Sequence, residues 1–166
     1  AFTQCPMTVD HASLLNLLQN VRTDIAARGL IQDGTAIGMG LANAVSRLKN
    51  SKAKSKVVIL LTDGSNNMGD LSPLTSAQIA KSFGIRVYTI GVGTNKVAPY
   101  PMPVAGGVQY VKIPVEIDTR TLSDIAATTD GKFYRATNDK ELKQIYKEID
   151  QLEKTKLDVK KFSKRY

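Results

Sequence analysis

The stretch Val57-Val58-Ile59-Leu60-Leu61-Thr62-Asp63-Gly64-Ser65-Asn66-Asn67 decides the fold. Its first five residues are large and apolar, and several are β-branched. No polar face is left, so the run predicts a strand buried on both sides in the middle of a sheet. It stops abruptly at Thr62-Asp63-Gly64. A carboxylate is thereby expected at the C-terminal end of a core strand, where open α/β sheets keep their binding crevices.

Downstream, Ser72-Pro73 is a cap and first-turn pair for a helix through Ala77, Ile79, Ala80 and Phe83 that stops at Gly84. A second β-rich run, Ile85 to Gly93, follows. Strand, helix and strand in this order predict a parallel crossover. Upstream, Leu14, Leu17, Leu18 and Val21 form one helical stripe behind Asp10 as N-cap, the pattern of a surface helix packed on a core. A second stripe, Ile37, Leu41, Ala44, Val45 and Leu48, begins at Gly34-Thr35, with Gly38 and Gly40 permitting close packing.

Residues 94–117 break this rhythm. Pro99, Pro101, Pro103 and Pro114, with Gly106-Gly107 between apolar runs, predict a hairpin insertion. Tyr100 and Met102 are its candidate partner-contacting residues, because such insertions often carry binding. Asp118 then caps a helix bearing Leu122, Ile125 and Ala126 and closed by Gly131, and Phe133-Tyr134 marks a short strand. A last helix starts at Asn138 with Glu141 at capping-box spacing and shows Leu142, Ile145, Tyr146, Ile149 and Leu152 on one face. The expected architecture is one three-layer α/β domain over residues 1–166 with a mostly parallel, Rossmann-like sheet.

Composition is that of an ordinary soluble domain: 166 residues, 42% hydrophobic and 23% charged. No apolar run approaches the ~18 residues of a membrane span. The chain does not begin with Met, and Ala1 to Pro6 reads as the tail of an element begun upstream, as in a fragment or processed chain. The net charge of +8 is concentrated after Lys154, in a basic arm over 154–166 that reads either as solvated or as lying beside a membrane or an acidic partner. It lacks the stripe with interleaved aromatics of a nucleic-acid binder. Cys5, the single cysteine, is read as a small buried hydrophobe, and His11, the single histidine, as a surface or capping residue. The glycines at 34, 38 and 40 match phosphate-binding loops weakly, without the Gly-Lys-Ser/Thr ending.

The turn Asp33-Gly34-Thr35-Ala36-Ile37-Gly38, then Val-Val-Ile-Leu-Leu-Thr-Asp-Gly, then Ile-Arg-Val-Tyr-Thr-Ile-Gly-Val-Gly resembles the von Willebrand factor type A domain. The Pro-rich insertion and the ending Glu-Ile-Asp-Gln-Leu-Glu-Lys-Thr-Lys are similar to BatA-like membrane-anchored proteins of the Bacteroides aerotolerance group. The resemblance implies a metal-ion-dependent adhesion site, in which Thr35 coordinates a divalent ion and Asp63 acts through water. Mg²⁺ suits hard oxygen ligands, with Mn²⁺ or Ca²⁺ as alternatives, and an open position would take an acidic residue of a protein partner. It also implies a non-enzymatic module, tethered to the inner membrane by segments outside this chain and projecting into the periplasm. The family's Asp-x-Ser-x-Ser occurs nowhere in the sequence, so the ligand set is incomplete and the N-terminal strands of the fold are expected to be missing. That leaves an edge on Val57 to Leu61, which predicts that this strand pairs with one from a rearranged N-terminus or a second molecule, or is ordered only in a complex. Two other readings stand beside this one: a structural fragment in which Thr35 and Asp63 only cap turns, and a hydrolase using Asp63, for which no activating His, Cys or Lys lies near in sequence.

Overall fold

The computed structural model describes residues 3–20, 36–63, 71–93, 97–114 and 117–163. Along the chain these form α1 (His11–Gln19), α2 (Ile37–Leu48), β1 (Val57–Thr62), α3 (Pro73–Ser82) and β2 (Arg86–Val92). The hairpin strands β3 (Val97–Val104) and β4 (Gly107–Pro114) follow, then α4 (Thr119–Thr128), β5 (Phe133–Ala136) and α5 (Asp139–Ser163).

β2 lies between β1 and β5, and both pair with it in parallel. On one face α2, α3 and α4 bury Ile37, Leu41, Val45, Ala77, Ala80 and Ile125 against Val87, with Val58 and Leu60 beside them. On the other, Ile145 and Ile149 of α5 pack with Tyr88, Ile90, Tyr134 and Ala136. Helices on both faces of a parallel sheet make the three-layer α/β architecture that alternating strands and helices predict.

The central position that the apolar run alone predicts for β1 is not observed, whereas the edge expected from the missing N-terminal strands is. Among the described residues β1 pairs only with β2, at the edge of the sheet. Ile59 and Leu61 are 40% and 47% exposed, because α5 lies over β2 and β5 and leaves the second half of β1 open on that side. A run of apolar residues announces hydrophobicity but not neighbours.

Helix termini follow their capping residues. Asp10 accepts from the Ser13 amide at 3.0 Å, Asp118 from Thr121 at 3.1 Å and Asn138 from Glu141 at 2.9 Å. Gly84 stops α3 at φ 67°, whereas the left-handed residue after α4 is Asp130, not Gly131. Gly131 serves another need: a Cβ there would sit 1.9 Å from the Val87 carbonyl oxygen. Gly38 likewise admits the Leu71 carbonyl, 2.0 Å from where its Cβ would be, while Ser76 donates to the Gly38 carbonyl at 2.7 Å. This close crossing makes Ser76, Ala77 and Ala80 the buried face of α3 and leaves Ile79 and Phe83 exposed.

Other helical stripes also differ from their reading. The leucines of α1 are exposed and none of its residues is buried, so it is not packed on a core. Tyr146 lies on the open side of α5. Residues 155–163 of the basic segment are helical, since α5 continues through Ser163.

At the first residue of β2, α5 is clamped. Arg86 Nε donates to Glu153 at 2.8 Å, the Ser55 hydroxyl donates to the same carboxylate at 2.8 Å, and the Tyr88 hydroxyl completes its shell.

Candidate functional site

β1 delivers Thr62 and then Asp63 to the C-terminal edge of the sheet, where Asp63 is exposed. Ala36 and Ile37, at the start of α2, face the same space, together with Leu60, Leu61, Val92 and Leu142. These residues line a cavity of about 550 Å³ with apolar walls and Thr62 and Asp63 as its polar edge. The placement follows from topology: parallel strands end together, and the loops leaving them converge with the first turn of the next helix.

Of the two metal ligands read from the sequence, Asp63 lies at the end of β1 on the rim of this cavity. Thr35 lies outside the described residues, although Ala36, next in the chain, lines the Asp63 cavity. No group of three or more His, Cys, Asp or Glu that could hold an ion occurs among the described residues. The Asp63 carboxylate is the hard, anionic oxygen that Mg²⁺ prefers. It fits one ligand position, and by itself it does not make a site.

Of the two hairpin candidates, Met102 is 46% exposed, while the side chain of Tyr100 is outside the described residues. Sequence reading missed Val108 and Tyr110 on β4, which are more open at 60% and 69%. Pairing of the prolines of β3 with alternate residues of β4 is the signal that would have found them. His11 is exposed at the start of α1, and Cys5 is only half-buried, its thiol donating to the Pro6 carbonyl at 3.2 Å.

The von Willebrand factor type A domain family matches residues 3–148. The chain belongs to that family. This VWA domain is 28% identical to the conserved hypothetical protein BatB of Bacteroides thetaiotaomicron, with a TM-score of 0.69 over 92% of this chain and 74% of that one. An aerotolerance-related membrane protein of Bacteroides fragilis is 25% identical, with a TM-score of 0.67 over 90% of this chain and 74% of its own. Proximal thread matrix protein 1 of the mussel byssus, solved with zinc in its MIDAS motif, is 25% identical, with a TM-score of 0.63 over 90% of this chain and 31% of its own. In sequence, an uncharacterized protein of Borreliella burgdorferi is 29% identical over 108 residues, 64% of this chain. The VWA domain spans about a third of the length of the curated relatives it matches.

Proposed function

We infer that this VWA domain is a metal-ion-dependent protein-interaction module of a membrane-anchored, BatA-like protein acting in aerotolerance or in the assembly of a cell-envelope complex. The observation that carries the reading is the exposed Asp63 carboxylate on an apolar cavity at the C-terminal end of β1. Family membership and the zinc-bearing MIDAS of the mussel protein support it. In this reading Thr35 and Asp63 contribute to holding Mg²⁺, with Mn²⁺ or Ca²⁺ as substitutes, and the remaining ligands lie outside the described residues. A bound hard cation supplies an open position for a carboxylate of the partner. The chain's own part is to present Asp63 rigidly from a strand end and to offer apolar surface, from Ile37, Leu61 and Leu142, around the contact. The role is binding rather than catalysis.

Calorimetric titration of the full-length protein with Mn²⁺ tests this. Replacing Asp63 by Ala is expected to weaken the affinity at least about tenfold, a loss of roughly 1.4 kcal/mol. Unchanged affinity would remove Asp63 from the site and the reading with it.

Anchoring is part of the same proposal. Among the described residues no helix is long and apolar enough to cross a membrane, so the tether would come from elsewhere in the protein. The likeness to a Bacteroides fragilis protein named as a membrane protein supports an inner-membrane tether. Basic residues beside a span favour the cytoplasmic face, so the periplasmic placement rests on family likeness alone. Protease added to spheroplasts is expected to digest the domain, and protection there rejects the periplasmic side.

A further inference from the structure

The two outer edges of the β3–β4 hairpin are built differently. Pro99 pairs with Lys112, Pro101 with Tyr110 and Pro103 with Val108, alternating with Tyr100 on Val111, Met102 on Gln109 and Val104 on Gly107. In an antiparallel pair only every second couple exchanges hydrogen bonds, and the others aim their N–H and C=O groups away from the partner strand. Proline has no N–H to exchange. The proline couples are therefore the outward ones. The turn agrees, since Val104 and Gly107 flank a two-residue loop, Ala105-Gly106, and such a closing couple is hydrogen-bonded.

Along the outer edge of β3, positions 99, 101 and 103 thus offer carbonyls and no donor, a pattern that rejects an added strand. Along the outer edge of β4, Val108, Tyr110 and Lys112 each offer both an N–H and a C=O, spaced about 7 Å apart as every second strand residue is. Among the described residues β4 pairs with nothing but β3. Val108, Tyr110 and Val111 on this strand are exposed.

We propose that the outer edge of β4 is a docking site for an extended acidic segment of a partner protein, which adds to the hairpin as a third strand. Main-chain hydrogen bonds to positions 108, 110 and 112 provide the register, apolar side chains lie against Val108 and Tyr110, and a carboxylate meets Lys112. Lys112 is the one charged residue of the hairpin, residues 97–114. Charge selects this occupant over a second copy, because β4 of a second copy brings no carboxylate to meet Lys112, whereas an acidic segment does. The proposal rests on the reading of the domain as a protein-interaction module, but not on the metal.

The test uses the full-length protein in detergent and a fluorescent acidic peptide of Glu-Val-Thr-Val repeats, followed by anisotropy. The peptide is expected to bind. N-methylation of alternate residues on one edge of the peptide should abolish binding, and methylation of the other set should leave it intact. Tyr110→Pro, which removes one outward N–H as well as the ring, should weaken binding at least about tenfold beyond the loss caused by Tyr110→Ala, which removes only the side-chain contact. Absence of binding, equal effects of both methylated sets, or full binding by a folded Tyr110→Pro protein would overturn the proposal. Should that variant fail to fold, the methylated peptides decide on unaltered protein. EDTA and Asp63→Ala are expected to leave peptide binding unchanged, so a failed metal site and a failed β4 edge give different results. Loss of binding on either treatment would move the docking point to Asp63 and overturn the edge assignment. A concentration-dependent dimer that Tyr110→Pro abolishes would make the second copy the occupant and overturn the acidic partner.

Discussion

Burial alone would raise the Glu153 carboxyl, but hydrogen bonds from Arg86, Tyr88 and Ser55 outweigh it and hold the group down at about 2. A carboxyl depressed by folding contributes stability that is complete above its ordinary value near 4.5 and is lost as the pH falls from there toward 2. Discounted for partial exposure, the contribution at neutral pH is on the order of 2 to 3 kcal/mol. Glu153→Gln is therefore expected to lower unfolding free energy in urea by about that amount at pH 7, and the gap from the unaltered protein should narrow by pH 3. A gap that does not change with pH would assign the loss to packing instead. The two kinds of polar residue differ in how far the sequence reveals them. Asp63 is announced by its place directly after an apolar run. Arg86 and Glu153 are 67 positions apart, and nothing in their spacing says that the middle of a long helix will return to the start of a strand.

Among elements, the legible features are those written locally: the Asp10, Asp118 and Asn138 caps, the Gly84 stop and the apolar faces of α2 and α4 all lie where their sequence signals put them. What escaped is set by distance of approach between elements. Ser76 is buried and Ile79 exposed because Gly38 lets backbone come close, a demand invisible from α3 alone. The same kind of demand gives a prediction at Gly131. A methyl group there meets the Val87 carbonyl on β2, backbone that cannot swing aside. Gly131→Ala is expected to cost about 1 to 3 kcal/mol, read as a lower urea midpoint with unchanged slope. A midpoint equal to that of the unaltered chain would mean that the turn and β2 separate freely.

For the whole molecule, the parallel α/β order was legible, but the rank of β1 within the sheet was legible only through the absent Asp-x-Ser-x-Ser strand, since five apolar residues look alike in a middle strand and in an edge strand with one covered face. The two faces of β1 now make separate predictions. In the 166-residue chain, Ile59→Thr and Leu61→Thr should each cost about 1 kcal/mol or less, whereas Leu60→Thr, on the side packed by α2 and α3, should cost about 2 kcal/mol or more. Denaturation in urea measures all three. Equal losses on the two faces would show that something covers Ile59 and Leu61 in solution, and light scattering would tell whether it is another copy.

α5 runs opposite to the strands, from Leu142 at the Asp63 cavity to Glu153 at the first residue of β2, and then onward. Its 25 residues make a rod about 38 Å long at ~1.5 Å per residue. Mechanically it is a tie bar. Tension entering at the Ser163 end travels along the rod axis and meets the Arg86–Glu153 clamp before it reaches the layer formed by Ile149 and Ile145. A pull along the axis loads these contacts in shear rather than peeling them apart. Between that clamp and Leu142, on the wall of the cavity beside Asp63, the rod continues without a loop.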